Sequence, residues 1–546
     1  MSGTLDTKDI IVFLIYFIVV SGYGYWIYQR KKSATADTKD FFLAEGTLTW
    51  WAIGASLIAS NISAEQFIGM SGSGFAMGLA IASYEWMAAA TLLVVAVFLL
   101  PIYLRNKIYT MPQFLAQRYS PLVATTLAVF WLVVYVFVNL TSILHLGALA
   151  VSTISGISYE ACIFGLTIFA VFITLGGMKV IGYTDVIQVL VLILGGLATT
   201  YLALDLVAHH YGGSGALNGL SLLREHASSH FHMILQPGQM MMPDGSGGEK
   251  DAFQDLPGIA VLVGAMWIAN LSYWGMNQYI TQRALGADLN TARAGLLFAA
   301  FLKLLMPIIV VLPGIAAYLL FQQGEFQEQI TEGGFVKPDK AYPVLINLLP
   351  TGLKGLSFAA LTAAIVASLA GKANSISTIF TLDLYKKYFN RDASEANQVM
   401  VGRVVIIIAL IIGAIVAPVL RNFAQAFQFI QNFTGLISPG ITAIFLLGFF
   451  WKKTTASAAM AGAIATIPAG IALENLLPNL PFMHRMGWVF LIVVGLMILI
   501  SLLDTKGRKN VRSIDVEVSD FKTAPAFTVG MVVIVIILAV LYSMFW

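Results

Sequence analysis

The stretch 58–70, IASNISAEQFIGM, puts Asn61, Ser63, Glu65 and Gln66 in the middle of an apolar run that begins WWAIGASL at Trp50. A second polar cluster lies in 264–283, GAMWIANLSYWGMNQYITQR, with Asn270, Ser272, Tyr273 and Trp274. Amides and hydroxyls both donate and accept hydrogen bonds, so such clusters suit a neutral polar ligand. Backbone carbonyls freed where a helix breaks suit a small hard cation. Glu85 in ASYEWMAAATLL and Lys303 in FAAFLKLLMP are ionisable groups of opposite sign inside apolar segments. Each needs a partner there, and the two can share one polar site. Asp185 opens GYTDVIQVL and Lys372 lies in IVASLAGKANSIS. Asp185 serves equally well as a helix-start residue or as a group on a cation path. A single Asn or Ser often does no more than bind a neighbouring helix. Two clusters at matching positions favour a binding site over that reading.

Other chemistries find no support. No HExxH or similar ligand spacing occurs, and the lone cysteine, Cys162, sits in an apolar segment as a small buried hydrophobe. His209, His210, His226, His230 and His232 are scattered along one connection. His145, in LTSILHLGALA, reads as a hydrogen-bonded core histidine. With no nucleophile–base pair or metal constellation, the chain is not expected to be an enzyme. A net charge of +3 gives no reason to invoke nucleic acid.

The elements that must hold these residues are membrane helices. The 546 residues are 58% hydrophobic and 11% charged, against about 25% charged in soluble domains. Fourteen apolar segments stand out, at 8–28, 49–71, 78–105, 122–154, 159–177, 183–204, 257–278, 293–322, 355–385, 399–420, 422–450, 453–475, 484–503 and 526–545. The first, followed by QRKK, reads as a retained helix and not as a cleaved leader. Of 31 Lys and Arg, 20 fall in one alternating set of loops, 8 in the other set with the termini, and 3 inside segments. The richer side is expected to be cytoplasmic, with both termini outside. The longest loops, 205–256 and 323–354, then lie outside.

The two polar clusters share a short likeness, SNIS at 60–63 and ANLS at 269–272. Each opens a run of five segments, 49–204 and 257–450, and the two runs enter from opposite faces. That is the pattern of inverted repeats around a central transport site. The organisation expected is an extra helix and loop over 1–48, a first repeat over 49–204, an external loop over 205–256, a second repeat over 257–450 and three further helices over 451–546.

The chain resembles the sodium/solute symporter family, most closely its bacterial sodium/galactose (sodium/glucose) branch. The likeness is dense in WWAIGASLIASNISAEQFIGMSGSG, GLAIASYEWM, LAVFWLVVYVFVNLTS, TDVIQV, GMNQYITQR, DKAYP, TLDLYKKY and QAFQFIQNFTGLISPGI, and covers nearly the whole chain. It implies an all-α polytopic membrane protein with a LeuT-type five-plus-five inverted-repeat fold and about 14 transmembrane helices. It implies sodium-coupled monosaccharide uptake by alternating access at the bacterial inner membrane; separately, a monomer is the expected unit. Its substrate-facing positions match Asn61, Gln66, Glu85, Asn270, Lys303 and Gln431, with Tyr273 stacked on the sugar as inner gate and Trp274 beside it. Met70, Tyr84 and Phe427 match the outer gate. The sodium site matches the carbonyls of Ala59 and Ile62 with Ala364, Ala367 and Ser368, and Asp185 matches a residue on the sodium exit route.

Independent chemistry agrees with that assignment. A hexose has hydroxyls for Asn, Gln, Glu and Lys and an apolar face for an aromatic ring. Three departures stand against the family pattern. Ala367 replaces the first of a serine pair at the sodium site, Lys372 follows Ser368 by one turn, and Ala88 replaces a serine. Lys372 is expected to snorkel toward the cytoplasmic helix end. Ala367 and Lys372 motivate a proton-coupled or uncoupled carrier as an alternative, Ala88 leaves the choice of sugar open, and a polyol, amino acid or carboxylate is a further substrate alternative. An anion would call for an arginine in the site, which the segments do not offer there.

Overall fold

A computed structural model describes residues 5–30, 49–108, 110–174, 178–244, 248–423, 425–509 and 511–546. Leu-, Ile-, Val- and Phe-rich runs close into helices because buried backbone polar groups must pair within their own segment. The helices are α1 (Thr7–Arg30), α2 (Trp50–Asn61), α3 (Ser71–Met77), α4 (Ser83–Val94), α5 (Pro121–Ser155), α6 (Tyr159–Thr174), α7 (Met178–His210) and α8 (Ala265–Gly275). They continue as α9 (Gln278–Leu285), α10 (Leu289–Gln322), α11 (Leu353–Phe389), α12 (Glu395–Asn422), α13 (Ala426–Phe450), α14 (Ala456–Leu476), α15 (Phe482–Leu503) and α16 (Pro525–Met544).

Helix starts follow their chemistry. The Asp288 carboxylate accepts from the Asn290 and Thr291 amides at the head of α10, and Ser120 caps α5 ahead of Pro121. Ten helices among the described residues are long and apolar enough to cross a membrane, or eleven if a pair bent by 78° at Gly264 counts as one span. One of the ten, Glu65–Arg105, has 41 residues, twice the ~20 that a crossing needs. It contains Gly78, whose φ of +65° favours glycine.

Two interruptions matter for the site. After α2 the chain leaves the helix at Ile62, extended at φ −72° and ψ 94°, and resumes through a wide π turn, Glu65–Met70, into α3. Between α8 and α9 it leaves the helix at Met276 and Asn277. The second polar cluster therefore lies within a regular helix: Ala269–Ser272 is inside α8, and the breaks fall on either side, at Gly264 and at Met276–Asn277. Glycine and an Asn that caps α9 explain that displacement, because both favour non-helical backbone. Residues 279–285, outside the apolar segments read from the sequence, lie in α9. Further π turns occur at Val95–Leu99, Tyr135–Leu140 and Ile379–Phe389.

Helix α10 packs against α2, α3 and α4, α11 packs against α1 and α7, and α13 packs against α8 and α15. The α2–α10 contact is backbone to backbone, since a Cβ on Gly54 would lie 2.7 Å from the Gly295 carbonyl oxygen. The long connections carry short pieces, namely the helices Ala216–His226 and Ala341–Ile346 and two small antiparallel hairpins.

Candidate functional site

The break after α2 leaves the last carbonyls of that helix without intrahelical partners and turns Asn61 and Gln66 into the bundle, where both are buried. The opposite-signed pair meets there. Lys303 Nζ on α10 donates to Glu85 Oε2 on α4 at 2.6 Å and also to Asn61 Oδ1. Both ends of the ion pair are enclosed, with side-chain exposures of 1% for Lys303 and 3% for Glu85. The ammonium lies 5.1 Å from the centroid of the Trp274 ring. A buried ion pair is tolerated only with such additional hydrogen bonds.

These groups border one pocket, whose atom-free space of about 1090 Å³ includes its open mouth. All eight residues matched to the substrate line it: Asn61, Gln66, Glu85, Asn270, Tyr273, Trp274, Lys303 and Gln431. Asn61 Nδ2 donates to the Tyr273 hydroxyl at 3.3 Å. Asn270 Nδ2 donates to Met266 O one turn back. Gln66 Oε1 is buried without a protein partner. Tyr273 and Trp274 meet edge to face at 5.1 Å. The three outer-gate matches, Met70, Tyr84 and Phe427, line the same cavity and are buried. Tyr84 and Phe427 form a T-shaped contact at 5.2 Å.

The positions matched to a sodium site fall on two packed elements. Ala59 and Ile62 are at the broken end of α2, and Ala364, Ala367 and Ser368 are on α11, which contacts α2. Ser368 Oγ is buried without a protein partner, the condition of a hydroxyl free to ligate. The Asp185 side chain lies outside the described residues.

Two residues take positions that the sequence does not reveal. Glu65 accepts a hydrogen bond from Ser142 Oγ of α5 at 2.5 Å, and its amide donates to Ser63 Oγ. Lys372 does not snorkel. It is 3% exposed and sits among aromatic rings, because the helix end it would have to reach lies four turns away. Sequence reasoning also missed Asn139, Tyr135 and Asn277 in the cavity wall. Asn139 in VFVNLTS was the available signal, a polar residue in an apolar run.

In the connection 323–354, Asp339 Oδ2 accepts from the Ala426 amide at the head of α13 at 2.9 Å. Burial pushes its carboxyl up to about 7. In the same connection Glu332 pairs with Lys340, and with Arg421 of α12, and the Lys340 hydrogen bond holds its carboxyl down at about 2.

Residues 41–466 match the model of the sodium:solute symporter family. The chain is 47% identical over 550 residues to the sodium/glucose cotransporter of Vibrio parahaemolyticus, covering 99% of both chains. It is 34% identical over 487 residues to the human sodium/myo-inositol cotransporter 2, covering 86% of this chain and 70% of that protein. The solved structure of a Na+-coupled sialic acid symporter in a substrate-bound outward-open state superposes with a TM-score of 0.75 at 22% identity, covering 91% of this chain and 98% of that one. That likeness establishes a shared helical transporter fold.

Proposed function

The chain belongs to the sodium:solute symporter family, and from that premise we propose that it carries a neutral monosaccharide, of the glucose or galactose kind, into the cell with sodium. It is a sodium-coupled symporter and not an enzyme. The observation that carries the substrate reading is the Lys303 ammonium held between Glu85 and Asn61 at the cavity wall. The pair cancels its own charge and leaves amide and carboxylate edges for hydroxyls. The cavity lining contains no arginine among the described residues, which argues against an anionic substrate. Trp274 and Tyr273 supply flat apolar faces for a sugar ring.

In this reading sodium binds the Ala59 and Ile62 carbonyls, the Ser368 hydroxyl and the α11 backbone at Ala364 and Ala367. It orders the broken end of α2 and prepares Asn61 and Gln66 for the sugar. Met70, Tyr84 and Phe427 then close outside, and the exit past Tyr273 opens inside. To swing a 1:99 equilibrium to 99:1, sodium and sugar together must supply about 5.5 kcal/mol of differential affinity. Asp185 marks the exit side of the sodium route.

The same reading takes the fold as two inverted five-helix repeats, 49–204 and 257–450, with fourteen crossings. It counts the eleven candidate spans, separates the Glu65–Met77 limb from α4 at Gly78, and adds α1 and α6. The protein acts as a monomer in the bacterial plasma membrane with both termini outside. A neutral cyclic polyol is the second reading. It is favoured by the similarity to an inositol carrier and by Ala88 in the cavity wall, which offers no hydroxyl.

The test is uptake into proteoliposomes under an inward sodium gradient, with potassium replacement at several pH values. Glucose, galactose, myo-inositol, sialic acid and an amino acid serve as competitors. Saturable hexose uptake that vanishes without sodium is expected. Uptake indifferent to sodium, or competed best by an anion, overturns the reading. Uptake best competed by myo-inositol selects the polyol.

A further inference from the structure

Lys372 is a buried cation with no assigned task. It lies one helical turn beyond Ser368 on the same face of α11. Among the described residues it forms no ion pair. Its one hydrogen bond runs to Asn139 Oδ1 on α5, at 3.4 Å. Three tyrosine rings take the place of a counter-ion. Their centroids lie 4.4 Å (Tyr279), 5.1 Å (Tyr135) and 5.7 Å (Tyr273) from the ammonium. These rings come from α9, α5 and α8, so one charge touches a neighbouring helix and both limbs of the broken segment. Glu65 acts on it through space as an opposing charge, and Arg283 as a like charge.

Each ring is tied further. The Tyr279 hydroxyl donates to Ser60 O on α2 at 3.1 Å, and the Tyr273 hydroxyl accepts from Asn61. The Tyr135 hydroxyl donates to Asn277 Oδ1, the same oxygen that caps the Tyr279 amide. Arg283 of α9 reaches Ser56 of α2 at 2.9 Å. Together these contacts fasten α9 to α2. Cation–π attraction strengthens when the cation is stripped of water, and this ammonium is buried.

We propose that Lys372 is the latch of the inner gate: its ammonium gathers Tyr135, Tyr273 and Tyr279 into one closed plug, and inward opening requires that the three rings let go of it. This rests on the reading of Tyr273 as the inner gate. The charge, and not the bulk, of Lys372 does the fastening. Methionine has similar length but offers the rings no cation. Arginine keeps the charge and stacks on aromatic faces.

The test compares hydrogen exchange of the full-length parent, Lys372→Met and Lys372→Arg in nanodiscs, without sugar or sodium. The reporter is the amides of 273–285, and α14 serves as control. Lys372→Met should raise exchange in 273–285 about tenfold or more and leave α14 unchanged, and Lys372→Arg should restore protection. Tyr135→Leu should raise the same amides by a smaller factor, which keeps the test open if Lys372→Met fails to fold. Sugar efflux from loaded proteoliposomes should rise with the Met variant. Unchanged exchange with Met, or loss of protection with Arg equal to that with Met, overturns the latch. If the exchange pattern holds while the parent shows no sodium-driven uptake, the transport reading falls and the latch stands.

Discussion

Replacing Lys303 by methionine separates what its charge does for the fold from what it does for the sugar. The substitution keeps most of the side-chain volume but leaves the Glu85 carboxylate, 2% exposed, without its cation. It also removes the donor to Asn61. Breaking a buried pair from one side costs about 3–5 kcal/mol, or a factor of roughly 160 to 5,000 in the folding equilibrium. Neutralising both partners together, as Lys303→Met with Glu85→Gln, removes the stranded charge. The double variant should therefore return to within about 1 kcal/mol of the parent, since an ion pair and a neutral replacement of like volume are often equivalent. Thermal unfolding in detergent, followed by tryptophan fluorescence, reads the first effect, and calorimetric sugar binding with saturating sodium reads the second. The single variant should melt well below the parent and the double variant near it, with sugar affinity lost in both. A single variant that melts with the parent refutes the energetic argument. A double variant that still binds sugar refutes the placement of Lys303 at the substrate.

Further outcomes follow from other contacts. Ser368→Ala should abolish the sodium dependence of uptake, and Ala367→Ser should lower the half-saturating sodium concentration several-fold by adding a second hydroxyl; sodium titrations of uptake check both. The Asp339 carboxyl is raised from 3.8 to about 7, so its favourable contribution is full below pH 3.8 and is lost as pH rises through 7, on the order of 4 kcal/mol in all. Melting temperature should fall as pH rises from about 4 to 7 and level off above that, and Asp339→Asn should flatten that slope. Gly295→Val pushes a side chain into Ile53, whose Cγ2 lies 2.7 Å from a Cβ built at Gly295. Overpacking of about 1–3 kcal/mol should appear as a lower melting temperature.

The polar density of 58–70 was enough to place the first helix break, because four hydrogen-bonding side chains in lipid need a cavity or an unwound backbone to face. Opposite sign was enough to pair Glu85 with Lys303 across 218 residues. The second break was displaced because Asn270 and Ser272 bear on what the helix faces, whereas Gly264 and Asn277 decide where it stops. Lys372 was misjudged for a different reason. Snorkelling is a property of one helix, and the tyrosines that hold this lysine come from three others, a coincidence of tertiary packing that no local pattern carries. The partner of Glu65 is hidden for the same reason, since Ser142 is 77 positions away.

The balance of fixed charge around the cavity has an electrical consequence. Lys303 offsets Glu85 in a buried pair at the cavity wall. Gates that open and close around such a centre shift little net protein charge across the bilayer. The voltage then acts on the sodium itself, and each ion that completes the passage moves a full elementary charge, worth about 2.3 kcal/mol per 100 mV. In the proposed cycle a resting potential, negative inside, drives uptake even when sodium concentrations on the two sides are equal. The current carried per sugar counts the sodium ions directly.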